Sequence, residues 1–312
     1  MKSHKIKWIL ALTGAIVIVL LLRGFAFTTC LIPSSGMENS LFPGDRILVN
    51  KWSYGLRTPF MSLFSYHRWL DKPVNKYDIV VFNNPAQVGE PIIDRRDIFI
   101  GRCIATPGDT LLVDSLFTAS VPDARTSPDR KRLYSYPANK EPLMASLIQT
   151  LSIGDNGLMG SKDSTHVRSF SRYEYYLLNQ ALDGQNWIQL LADQDETDLN
   201  PLIIPGKGQI LRVYPWNITL LMNTLVLHEG RDAKIKNDTL YVDGKAVQHC
   251  YFTKDYYWMS SNNSTNLTDS RLFGFVPKDH IIGKAQWVWF SKERETGLFD
   301  GYRWDRFFHS VD

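Results

Sequence analysis

Three cysteines in 312 residues, Cys30, Cys103 and Cys250, are too few and too far apart for a metal-binding cysteine motif. An odd number excludes complete pairing within the chain. A Cys103–Cys250 bridge stays open in an oxidising compartment, and three buried thiols are the favoured reading. Histidine is sparse too. His67, His228, His249 and His280 stand at no paired spacing, so no metal site and no cofactor is expected. Charge of neither sign is in excess: 35 Lys+Arg against 32 Asp+Glu leaves +3, which argues against nucleic acid as a partner. There is no internal repeat. There is also one long apolar run and no second, which excludes a multi-span channel or transporter.

That run is Trp8 to Leu22, interrupted by Arg23 and extended by Gly24-Phe25-Ala26-Phe27. About twenty helical residues at ~1.5 Å each reach roughly the 30 Å of a bilayer's hydrocarbon. Arg23 lies near the far end, where a long side chain can snorkel to the headgroups. Lys2, Lys5 and Lys7 precede the run and no acid does, so the N-terminus is expected in the cytoplasm and the remainder outside. A cleaved signal peptide is the rival reading. No small-x-small site follows, however, and Phe27-Thr28-Thr29-Cys30 is a poor lipoprotein box. The expectation is one uncleaved transmembrane helix.

Beyond the anchor, short β-branched runs are punctuated by Gly, Pro and Asn, which is strand text. Arg46 to Asn50, Asp78 to Phe82, Ile98 to Ile104, Gln209 to Val213 and Gln286 to Ser291 read this way. Asp243-Gly244 between apolar runs signals a hairpin. Helical spacing marks Leu143 to Ile148, Tyr173 to Leu182 and Thr219 to Leu227, while Thr126 to Lys131 reads as polar loop. The expected division is 1–28 for tail and anchor, 29–114 and 206–312 for two parts of a β core, and 115–205 for a mixed α/β insertion. Asn-x-Ser/Thr at Asn217, Asn237, Asn262, Asn263 and Asn266 reads as solvated polar loop.

Ile32-Pro33-Ser34-Ser35-Gly36-Met37-Glu38-Asn39-Ser40-Leu41, then Gly44-Asp45, resembles the nucleophile segment of the type I signal peptidases, peptidase family S26. Asp78 to Pro85 resembles their Gly-Asp-Ile-Val-Val-Phe strand. Ile100 to Asp109 resembles their Lys-Arg-x-x-x-x-Pro-Gly-Asp box. Asp255 to Pro277, with Gly283-Lys284-Ala285, resembles their last box. Met-Glu-Asn-x-Leu, Ser-Tyr-Gly-x-Arg-Thr-Pro and the terminal Arg303-Trp304-Asp305-Arg306 are similar to the Bacteroidetes branch, which also carries a long middle segment. The resemblance implies a mainly-β signal peptidase domain on one N-terminal transmembrane helix, in a bacterial inner membrane, with the large domain periplasmic.

It also implies a Ser–Lys dyad. A serine hydroxyl attacks the scissile carbonyl and a lysine, kept neutral by desolvation, takes its proton. On this resemblance the nucleophile position is Gly36, the general-base position Gly101 and the base-orienting position Leu267. Ser34 stands at the oxyanion position, and Asp269 and Arg271 are expected to brace the last box. The peptide groove would involve Ser34, Ser35, Gly36, Met37, Ile100 and Arg102, and two glycines are expected to leave open space in it. Glycine at both dyad positions points to a non-catalytic homologue. Its partners would be signal peptides, or a membrane protein such as an active signal peptidase paralogue. The alternative is a working endopeptidase that cuts after small-x-small motifs with Ser35 as relocated nucleophile. Neighbouring side chains of an extended segment point to opposite faces, which weighs against Ser35. The nearest lysines in sequence, Lys51 and Lys76, read as exposed strand-end residues.

Overall fold

A computed structural model describes residues 2–37, 40–114, 117–120, 132–151, 153, 156–162, 164–182, 185–191, 199–262, 268–293, 296–297 and 299–311. The loop read at Thr126 to Lys131 lies outside them, as do Leu267, Asn263 and Asn266.

The chain is mainly β. It opens with helix α1, Lys2–Leu21, which passes into a π-helical turn, Leu22–Ala26. Among the described residues no helix is long and apolar enough to cross a membrane. The helix begins in the polar Lys2, Ser3, His4, Lys5 and Lys7, and the end of the apolar run belongs to other elements. Phe27 starts strand β1, Phe27–Leu31. Lys51 holds the turn to the sheet: its N–H donates to the Ala26 carbonyl (3.0 Å) and its Nζ to the Gly24 carbonyl (3.1 Å).

The main sheet uses β1, β2 (Asp45–Asn50), β5 (Ile79–Asn83) and β6 (Ile98–Ala105), with a short β3–β4 hairpin (Leu56–Arg57, Arg68–Trp69) beside it. Its order is β1, β2, the long strand Ile281–Ser291, β5, β6, Tyr256–Ser260 and Val276–Pro277. Every residue of β5 is buried, as its unbroken apolar run requires of a strand covered on both faces. Alternate side chains feed two cores. Ile79 and Val81 join Ile32, Met37 and Val49, while Val80 and Phe82 join Cys103, Met259 and Phe273. Gly283 is needed where the long strand crosses β2, since a Cβ there would lie 2.4 Å from the Asn50 carbonyl oxygen.

A third core gathers around helix α4, Ile218–His228, close to the expected helical patch. The middle segment builds a core of its own. Gly160–Lys162, Thr165–Phe170, Arg132–Pro137 and Gln189–Leu190 form a four-stranded sheet. Helices α2 (Glu141–Thr150) and α3 (Arg172–Ala181) bring Met144 and Leu178 against Tyr136 and Phe170 from that sheet. Asn200–Ile203 pairs with Thr110–Val113, so the two ends of the segment meet as neighbouring strands.

All three cysteines are free thiols; Cys103 and Cys250 are buried, but Cys30 is only half-buried. Asn217 is not a solvated loop residue. It is buried, its Oδ1 accepts from the Tyr214 N–H and its Nδ2 donates to the Arg212 carbonyl, closing the turn into α4.

Candidate functional site

The segment read as a nucleophile box leaves β1 through Ile32 and tightens into a 3-10 turn, Ser35–Met37. Met37 plants this turn in the core, and Leu41 N–H donates back to its carbonyl at 2.7 Å. Gly36 is buried, and its carbonyl accepts from the Asn262 N–H at 2.8 Å. Ser34 is exposed and Ser35 half-buried, and the described residues give neither hydroxyl a hydrogen-bond partner.

Gly101 lies mid-way along β6, opposite Val80 of β5. Its missing side chain would point at the face shared by Phe82 and Met259. A Cβ there would stand 3.2 Å from Met259 Cβ, 3.4 Å from the Ser260 carbonyl oxygen and 3.5 Å from the Phe82 ring. The open space expected at this glycine is therefore absent, because the two strands that flank β6 close over it. Phe273, on the short helix α5 (Ser270–Phe273), completes an apolar wall with ring centroids 5.8 Å from Phe82 and 5.7 Å from Phe99.

Arg102 ties the pieces together. Its side chain donates to the Tyr77 carbonyl (2.9 Å), the Ser40 hydroxyl (2.8 Å) and Asn262 Oδ1 (3.3 Å). Asn262 Nδ2 reaches the same Ser40 hydroxyl at 3.2 Å. One guanidinium thus spans the nucleophile segment, β6 and the last box. Asp269 caps α5 and pairs with Arg271 at 2.9 Å, and both its N–H and hydroxyl contacts from Ser261 fall on the same carboxylate. Ser270 is turned inward, where its hydroxyl accepts from the Met259 N–H.

Lysines near these strands are all engaged. Lys51 is bound to Gly24, and Lys76 pairs with Asp109 at 3.0 Å. Lys284, across Val80 from Gly101, pairs with Asp78 at 2.6 Å. Asp78 also accepts from the Tyr54 hydroxyl, and burial together with this carboxylate pushes the Tyr54 phenol far up.

Just ahead of the 3-10 turn in sequence, Leu31, Ile32 and Pro33 line a cleft of about 290 Å³ together with Val81, Ile98 and Ile100. Two strand edges border it. Among the described residues β1 pairs with β2 alone. Tyr256–Ser260 takes up β6 only from Arg102 onward, so that among the described residues Ile98 to Gly101 pair on the β5 side only. Burial raises the Cys30 thiol at the cleft wall.

The family model described as signal peptidase, peptidase S26, matches residues 5–122 and 251–290, just over half of the chain. The chain belongs to this signal peptidase family. Relatives agree along nearly its whole length. The signal peptidase I of Buchnera aphidicola subsp. Schizaphis graminum is 25% identical over 89% of this chain and 72% of its own. That of Helicobacter pylori strain J99 is 23% identical over 96% of this chain and 90% of its own. The signal peptidase I of Pseudomonas aeruginosa reaches 38% identity, over 30% of each chain.

The stretch of this signal peptidase homologue that no family match covers, 123–250, holds the separate sheet with α2 and α3, and also α4. Ile100 lines the cleft and packs on the core that holds Met37, and Gly36 is joined to Arg102 through Asn262; Ser34 follows Pro33 of the cleft lining. Leu267 lies outside the described residues. Sequence reasoning missed Ser40 and Asn262 as partners of Arg102. It also missed Asp45, fully buried and held by Ser291 (2.6 Å) and Arg306 (2.7 Å). The terminal Arg303-Trp304-Asp305-Arg306 motif carried that signal: Arg303 and Arg306 return to the Pro43 and Ser40 carbonyls of the nucleophile segment.

Proposed function

We propose that this signal peptidase homologue is held in a bacterial inner membrane by its N-terminal segment, faces the periplasm, and binds exported peptides without cutting them. The observation that carries the reading is an apolar cleft between two strand edges, lined by Ile100 and Pro33, in a chain with glycine at both dyad positions. An extended peptide added there would take affinity from main-chain hydrogen bonds and selectivity from side-chain pockets, and neither needs a nucleophile. Cleavage by Ser35 requires a base at its hydroxyl. Lys51, Lys76 and Lys284 are held elsewhere, so nothing favours that alternative. An active signal peptidase paralogue is the membrane partner that would supply the chemistry.

Binding is the test. A signal peptide ending in Ala-x-Ala should bind with a Kd near micromolar, about −8 kcal/mol, and more tightly than one with bulky residues at those places. No binding, or no preference, removes the groove from the function. The membrane reading rests on Trp8, Leu10, Leu12, Ile16, Ile18 and Val19, apolar side chains that α1 leaves exposed and that only an apolar surround would cover. Protease added to spheroplasts should digest the domain beyond Cys30; protection would reverse the topology.

A further inference from the structure

We propose that the β3–β4 hairpin is a second membrane contact, its tip seated among lipid headgroups and upper acyl chains. The inference rests on the membrane reading above. Apolar exposure is concentrated here: Phe60 is 63% exposed, Leu63 77%, Phe64 60% and Leu70 76%, with Trp52 and Trp69 about half exposed beside them. Scattered apolar side chains on a surface need no explanation, but a contiguous set does.

The base of the hairpin is held firmly, so this exposure is not that of a loose loop. Arg57 donates to Asn83, to the Asp279 carbonyl and to Asp94, with which it forms an ion pair at 2.7 Å. Arg68 is buried and donates to the Gly55 and Ile281 carbonyls. The Thr58 hydroxyl accepts from the His67 N–H and donates to the His67 carbonyl. On this platform Phe60 and Leu70 both adopt left-handed backbone, with φ of 55° and 51°. A bulky residue in that region is strained and persists where the surroundings impose it. Water gives no return on either the strain or the exposure.

Three observations select a lipid surface as occupant. The hairpin leaves the sheet at the end where α1 arrives: Lys51, which binds the Gly24 and Ala26 carbonyls, is followed directly by Trp52. Residues 52–70 contain no Asp or Glu, so no carboxylate on the hairpin repels anionic headgroups; Arg57 and Arg68 are engaged at its base, and exposed Asp71 and Lys72 follow it. The exposed residues themselves are Trp, Phe and Leu, the types that seat at a membrane interface.

The test uses the full chain in vesicles of phosphatidylcholine and phosphatidylglycerol. In a Cys30→Ala background, an environment-sensitive fluorophore is attached at Leu63→Cys, and in a second protein at Lys234→Cys, in the exposed hairpin far along the chain. With acyl-brominated lipid the label at 63 should lose about half of its emission or more, since contact depths of interfacial residues reach ~5–10 Å into the bilayer boundary. The label at 234 should lose none. Flotation of the protein with the vesicles, but no quenching at 63, overturns the hairpin contact alone. Failure to float overturns the anchor and the hairpin contact with it.

Discussion

Placing serine at Gly36 and lysine at Gly101 should restore cleavage, whereas either change alone should not. The structure says what the lysine would meet. Its Cβ would stand 3.2 Å from Met259 Cβ, so Met259 must yield by a few tenths of an ångström. Overpacking of this kind costs about 1–3 kcal/mol. Gly101 has ordinary strand backbone, so no conformational penalty adds to this, and replacing a mid-strand glycine returns up to ~1 kcal/mol. The net loss of about 0–2 kcal/mol is one that a folded domain tolerates. The new amine would enter the wall of Phe82, Phe99, Met259 and Phe273. Desolvation in such surroundings lowers a lysine by as much as ~3–5 pH units, from ~10.4 toward neutrality, which makes it a usable base. Removing one member of a catalytic set typically costs ~10⁶ in rate and further losses add little, so each single variant should be indistinguishable from the parent. The assay is preprotein cleavage by the detergent-solubilised full chain, with an active homologue alongside. Activity of the double variant should rise with pH as the lysine loses its proton, and Leu267→Ser should raise it further. A triple variant that folds and binds peptide but never cleaves would refute the reasoning, because the site would then differ by more than its missing groups.

The parent chain should show no specific cleavage in the same assay; cleavage that vanishes with Ser35→Ala would establish the relocated nucleophile. Arg306→Ala should take the nearer guanidinium from the buried Asp45 carboxylate, leaving Arg303 at 4.0 Å and the Ser291 hydroxyl, and should cost about 1–3 kcal/mol in denaturant unfolding. Arg102→Ala should loosen the Ser40–Asn262 junction, seen as faster amide exchange across 35–41, and weaken peptide binding. Acid should destabilise the domain through His228. Burial and the facing His280 hold the His228 imidazole well below 6.5, at about 3, and its Nδ1 has no partner among the described residues. The folded form keeps it neutral while the unfolded form protonates, so the contribution is full above pH 6.5 and is lost as pH falls toward about 3. Within that window the slope is up to about 1.4 kcal/mol per pH unit. His280, lowered by burial, Arg96 and Lys254 against the raising effect of Asp279, adds the same sign. His228→Phe should flatten the dependence of urea midpoint on pH between 7 and 5; an unchanged slope would dismiss this cause.

Sequence alone determined the parts that local pattern encodes. β-branched runs cut by Gly, Pro and Asn placed β2, β5 and β6, because a strand buried on both faces must be apolar without interruption. Helical spacing placed α2, α3 and α4. The ordered boxes identified the family, and Gly36 and Gly101 raised the question of activity before any coordinate was known. What tertiary structure decided are the relations between distant segments. That Gly101 has no vacant space beside it depends on Met259 and Phe82 from two other strands. That Arg102 joins Tyr77, Ser40 and Asn262 depends on three loops arriving at one point. Asn217 reads as a polar loop residue until its amide is seen closing the entry to α4. His228 and His280 stand at no motif spacing, yet their rings lie 5.4 Å apart. Periodicity reports which face of an element is buried; which side chain from elsewhere covers that face is settled only when the chain is closed upon itself.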